Sequence, residues 1–295
     1  MYRITLLKGG EFMITPGIDF TFPTLLDTPL IRWLLAILVF VGAYIIYLRN
    51  LGHCPPELRI RRKGMDLLLT GHPAKAEKHF RKSMAMLDVS CQVRPLVCLA
   101  SALIDQGRYD ESRECLVRAL ELGDSTGSGQ GSMGDLLLQI GTDPEKALEM
   151  ADLAVELTTH SSRREIYFGG EVTNDLRRAT YWARRAHALA QLSRSAEARQ
   201  SIDRALRIVE AAKAEAQQTK PHNSILVMMI IGSRRLNHHR DLAVATTHWK
   251  IGLALLAMDD SSKAVDHFRI TRDTDRRGKY RRLAQQQLAR LESRL

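Results

Sequence analysis

The chain has 295 residues, of which 45% are hydrophobic and only 6% aromatic, and it carries a formal net charge of +10. Abundant Ala, Leu, Arg, Gln and Glu beside so few aromatics favour helix over sheet, and the length suits one elongated helical domain. The basic balance comes without zinc-finger spacing, an aromatic RNA-binding pattern or a helix-turn-helix, so it points to an anionic lipid surface or acidic partners and away from nucleic acid.

Residues 1–29 form an N-terminal tail whose YRITLL and FTFPTLL segments are apolar for a free tail. Residues 30–48 read LIRWLLAILVFVGAYIIYL, with Arg32 as the one charge. About 20 apolar residues cross a hydrocarbon core, so the run predicts a single transmembrane helix. Arg32 and Trp33 at one end, and Tyr44, Tyr47 and Arg49 at the other, suit the two membrane interfaces. Glu11, Asp19 and Asp27 in the leader, and no small-x-small cleavage site, argue against a cleaved signal peptide. Arg49, Arg59, Arg61, Arg62 and Lys63 follow the span, which places the C-terminal domain in the cytoplasm and the N-terminus outside. The reversed orientation is the alternative.

Residues 49–56 make a juxtamembrane linker with Cys54, Pro55 and Pro56. Beyond it, over 57–295, a spacing recurs: small-x2-large-x8-Ala-x3-large-x2-small. Gly64, Leu67, Ala76, Phe80 and Ser83 fit it, as do Ala100, Leu103, Ser112, Leu116 and Ala119. So do Ala186, Leu189, Ala198, Ile202 and Ala205, and again Gly252, Leu255, Ala264, Phe268 and Thr271. A weaker copy has Asp135, Leu138, Ala147, Ala151 and Ala154, with an Asp in the small slot. These define helix-turn-helix units at about 57–90, 93–126, 128–161, 179–212 and 245–278. Gly71 and Gly107 serve as turn residues, and Thr142 or Asp143 caps a helix opening at Pro144. Gly123–Gly134 is expected to be a flexible loop, and Thr158–Asn174 to be irregular. Residues 213–244 are a degenerate region in which Ile225–Ile231 predicts a buried helix. Lys279–Leu295 predicts an amphipathic helix capping the stack.

These units resemble the tetratricopeptide repeat family: small residue, turn glycine, helix-B alanine and aromatic all occur, over roughly residues 57–278. The layout, a span followed by repeats, is similar to membrane-anchored members. The resemblance implies an all-α helical-hairpin solenoid with an inner groove lined by the first helix of each unit. Its two-carboxylate clamp needs an asparagine that is missing here. The expected groove residues are Arg61, Met65, Leu68, Val97, Ser101, His187, Trp249 and Leu253, an apolar set suited to an amphipathic helix or extended hydrophobic segment.

No catalytic motif appears, and Cys54, Cys91, Cys98 and Cys115 lack C-x-x-C spacing, so neither enzyme, metal nor cofactor is expected. Cys98 and Cys115 read as small core residues, and His238-His239 as a solvated turn. The reading is a non-enzymatic, membrane-anchored adaptor that presents its groove to a protein or peptide. Its alternative is a structural or assembly subunit of a larger membrane complex. Anionic lipid contact through the basic juxtamembrane and C-terminal segments is a further expectation.

Overall fold

The computed structural model describes residues 2–6, 12–16, 33, 36–43, 55–160, 171–218, 233–275 and 278–293. The chain forms two compact units, Met1–Cys54 and Pro55–Leu295.

In the first unit, β1 (Tyr2–Leu6) and β2 (Phe12–Pro16) pair antiparallel, with Ile4 opposite Ile14 and Leu6 opposite Phe12. This corrects the all-α expectation for the tail. YRITL and FMITP are rich in β-branched and aromatic residues, which favour a pleated strand. Of the expected span 30–48, residues 33 and 36–43 are described and are helical, and the remainder lies outside the described residues. Trp33 and Ile37 to Val41 are exposed. Among the described residues no helix is long and apolar enough to cross a membrane.

The second unit is built of helical hairpins. Their helices are α1 (Pro56–Leu69) with α2 (Pro73–Met84), α3 (Val93–Ile104) with α4 (Tyr109–Glu121), and α5 (Ser128–Ile140) with α6 (Pro144–His160). Next come α7 (Glu171–Gln191) with α8 (Ser195–Gln218), and α9 (Ser233–Ala257) with α10 (Ser261–Thr274). α11 (Lys279–Glu292) closes the series. Each pair packs on the next, and the first helices α3, α5, α7 and α9 also pack in succession. Of the positions predicted from the four strong copies of the spacing, all are buried except Leu67, which is half-buried. The spacing works because Gly or Ala lets the two helices approach while Phe or Leu fills the space beside the crossing. A Cβ at Gly64 would sit 2.7 Å from the Phe80 ring, and one at Gly252 2.5 Å from Phe268.

The turn between the helices of a pair has one backbone solution used five times. Gly71, Gly107, Gly141, Ser193 and Asp259 all adopt positive φ, between 59° and 79°. The next amide reaches back to the last helical turn, as in Arg108 N to Leu103 O at 3.0 Å and Asp260 N to Leu255 O at 2.9 Å. This is the left-handed helix stop that favours glycine.

Three expectations change. The glycine-rich stretch is a loop only to Gly127, for Ser128–Gly134 is the first half of α5. Buried Asp124 orders its start, Oδ1 accepting from Thr126 N at 2.9 Å and Oδ2 from Gly129 N at 2.5 Å. Of the segment 158–174, expected to be irregular, 158–160 belong to α6 and 171–174 to α7, and the remainder lies outside the described residues. His238 and His239 lie within α9 and not in a turn. The expected helix at Ile225–Ile231 lies outside the described residues. Asp143 is the cap foreseen for α6, its Oδ1 accepting from Lys146 N at 2.8 Å.

Candidate functional site

Asp135, in the third unit, occupies the slot that holds Gly or Ala in the other four. Its carboxylate is shared. Oδ2 accepts from Arg184 Nη2 of α7 at 2.9 Å, and Oδ1 from Lys250 Nζ of α9 at 2.7 Å. A second pair lies nearby: Lys279 Nζ, at the start of α11, donates to Asp105 Oδ1 at the end of α3, at 2.5 Å. Successive first-position helices line the inner face of a helical-hairpin stack, so these charges gather there. Their side chains are between 13% and 25% exposed, well shielded but not sealed.

Local sequence explains how they reach one another. Gly131 lies one turn before Asp135 on α5, and a Cβ there would run into the Arg184 guanidinium and the Tyr181 ring. The glycine is what lets Arg184 lie along α5. Arg184 and His187 are spaced by three on α7, so they share a face.

The electrostatics fix the protonation states. Burial pushes the Asp135 carboxyl up, but Arg184 and Lys250 outweigh it and hold it below the usual carboxylate range. Burial, reinforced by Lys250, pushes His187 down to about 4, so the ring is neutral at physiological pH. Burial lowers Lys279, yet Tyr280 and Asp105 more than restore it. Three cations thus face two carboxylates. Arg184 Nε and His187 Nδ1 are buried and have no hydrogen-bond partner among the described residues. An unmet donor of this kind costs free energy.

Of the residues expected to line the groove, only His187 belongs to this cluster. Leu68, Val97 and Trp249 are packed in hydrophobic clusters, each under one tenth exposed, and offer a partner no surface. Trp249 is covered by Phe268 and Tyr280, with ring centroids 5.2 and 6.5 Å away. Arg61, Met65, Ser101 and Leu253 are half-buried, and the Ser101 hydroxyl is turned onto Val97 O at 3.0 Å. Arg32, Tyr44, Tyr47 and Arg49 lie outside the described residues, whereas Trp33 is helical and 71% exposed. The sequence reading missed Asp135, Arg184, Lys250 and Lys279 as site residues. The Asp in a small slot was the signal that could have found them.

A second, partly buried pair went unread. His248 of α9 and His267 of α10 bring Nδ1 to Nδ1 at 2.8 Å, with their rings stacked. No group of three or more His, Cys, Asp or Glu able to hold a metal ion occurs among the described residues. Cys98 and Cys115 are half-buried against the hydrophobic cluster that holds Leu68, Phe80 and Leu103, and burial pushes the Cys98 thiol up to about 11. Such a thiol is a poor nucleophile. Cys54 lies outside the described residues.

Residues 96–122 match the tetratricopeptide repeat family model. That match is the second unit, α3 with α4, which carries the repeat spacing in full. Two solved structures of Podosopora anserina "putative kinesin light chain nearly identical TPR-like repeats" are similar to the chain. The first is 15% identical, covers 74% of this chain and 92% of its own, and has a TM-score of 0.37. The second, a point variant of the same repeats, is 14% identical over the same shares with a TM-score of 0.38. No curated protein matches the sequence.

Proposed function

We propose that this protein is a non-enzymatic interaction scaffold, held at a membrane by residues 30–48, whose inner face takes a segment of a protein partner at Arg184 and His187. The observation that carries the reading is the cluster of Asp105, Asp135, Arg184, Lys250 and Lys279, between 13% and 25% exposed, with Arg184 Nε and His187 Nδ1 left without an internal partner beside it. Polar atoms of that kind are normally satisfied, and an incoming chain would supply what the fold does not. Tetratricopeptide repeats, of which residues 96–122 are one, are typically interaction scaffolds rather than enzymes. The repeats would face the cytoplasm, on the side where the Lys and Arg that follow the apolar run are concentrated.

The test is co-purification of tagged protein from membranes in mild detergent, comparing wild type with His187→Ala and Arg184→Lys. His187 Nδ1 makes no internal hydrogen bond. Losing the ring therefore removes a partner contact and no internal hydrogen bond at that nitrogen. The expected outcome is an associated protein that is lost or weakened about tenfold in either variant, while the variants stay folded. A fixed set of membrane subunits, recovered equally with all three, would overturn the scaffold reading in favour of a structural subunit.

A further inference from the structure

We infer that the outer face of the first helical pair, α1 with α2, is a docking surface for an anionic lipid bilayer. Between residues 56 and 84 there are eight Lys or Arg against three Asp or Glu. Arg59, Lys63, Lys75, Lys78 and Lys82 are exposed, and among the described residues none of them lies within ion-pairing distance of a carboxylate. Spacing puts Arg59 and Lys63 on one stripe of α1, and Lys75, Lys78 and Lys82 on one stripe of α2. The two stripes meet at His79, whose Cβ lies 3.1 Å from where a Cβ on Gly64 would be. Burial lowers the pKa of His79, and Lys63 and Lys82 lower it further, so cations of both helices are felt at one point.

The other basic region of the chain behaves differently. Near the C-terminus Lys250, Lys263, Arg269, Arg272 and Lys279 each have an Asp within 4.0 Å, so their charge is largely answered internally. The charge on Arg59, Lys63, Lys75, Lys78 and Lys82 is not. Lipid is favoured over nucleic acid by what precedes the face in the chain. Only roughly seven residues separate the end of the apolar run from Pro56, a reach of at most about 25 Å. The one Phe, Tyr or Trp interleaved with these lysines, Phe80, is fully buried and cannot stack a base. This inference rests on the reading of residues 30–48 as a membrane span. Juxtamembrane lysines and arginines gain from the surface potential of acidic lipids.

The experiment is amine acylation of the full-length protein in nanodiscs, one set of pure phosphatidylcholine and one with roughly 30% phosphatidylglycerol. Lys63, Lys78 and Lys82 are expected to react at least about threefold more slowly in the acidic discs, and about 0.5 M salt should restore their rates. Exposed Lys146 and Lys263, far along the chain, should react alike in both. Equal rates for Lys63, Lys78 and Lys82 in the two discs would overturn the inference. So would protection of the same lysines by duplex DNA and not by acidic discs. If the protein enters neither disc, the span reading fails, and sedimentation with phosphatidylglycerol vesicles then decides this one separately. Binding lost in Lys63→Glu/Lys82→Glu supports the face, and no binding by wild type sinks it.

Discussion

Asp135 shows how much one side chain can carry. It is the common acceptor for a cation from α7 and a cation from α9, so its loss would leave two shielded positive charges with no counter-charge. Breaking a buried pair by deleting one partner is more destructive than never having built it. Asp135→Ala is expected to cost about 3 kcal/mol in denaturant unfolding, several times the effect of removing an exposed carboxylate such as Glu149. Three histidines set a second residue-scale property. Burial pushes His187 down to about 4; burial with His267 and Lys213 pushes His248 down to about 3; His267 is lowered by burial as well. In the unfolded chain each would take a proton near its ordinary value of about 6.5, while the folded chain refuses it. Their contribution is therefore complete above pH 6.5 or so and is lost as pH falls below it, at roughly 2 kcal/mol by pH 5 for His248, the most deeply buried of the three, and less for His187 and His267. Melting temperatures from pH 8 to 5 check this. A flat profile would mean the rings are wetter than their burial implies.

The helices show where sequence patterns speak and where they fall silent. The repeat spacing predicted the crossing residues of four hairpins because a Gly or Ala against a Phe or Leu is a local packing rule. It caught only the second half of α5, through Asp135 and Leu138, because the first half reads as a linker. There the glycines are contact points: Gly134 and Gly127 would crowd the carbonyls of Ala147 and Ala154, at 3.1 and 3.0 Å, if either carried a Cβ. Asp124 then supplies the start signal from outside the helix. That information is tertiary and no window of sequence holds it. The tail hairpin was legible, since YRITL and FMITP flank Gly9 and Gly10, but its apolar content drew more weight than its alternation. The turns carry a prediction at the same scale. Ser193 and Asp259 hold φ of 59° and 60°, which costs a residue with a side chain about 1 kcal/mol. Replacing either by Gly should raise stability by up to about 0.5–1 kcal/mol, and Gly107→Ala, in open space at φ 74°, should lower it by a similar amount. Thermal unfolding of the three variants tests the set, and opposite signs from these would refute the shared-turn account.

At the level of the molecule, the helices among the described residues pair as the spacing in residues 57–278 suggests, whereas the inner face could not be read. Groove positions extrapolated from single helices, such as Leu68 and Trp249, turn out to be interior, because what covers Trp249 includes α11, at the far end of the chain from α1. The same helix touches the other end of the stack. Lys279 pairs with Asp105, and exposed Arg282 donates from Nη2 to Thr70 O at 3.2 Å across 212 positions of sequence. A double-mutant cycle on Asp105→Ala and Lys279→Ala should give a coupling of about 1 kcal/mol or more. Additive single effects would show that the contact is idle.

That clasp changes what kind of object the array is. An open stack loses units from its tips like a zipper, each end indifferent to the other. Once the last helix is fastened to the first two hairpins, both tips are the same place. Fraying at one end should be felt at the other, and hydrogen exchange in α1 should quicken when α11 is cut away, although the chain between them is untouched.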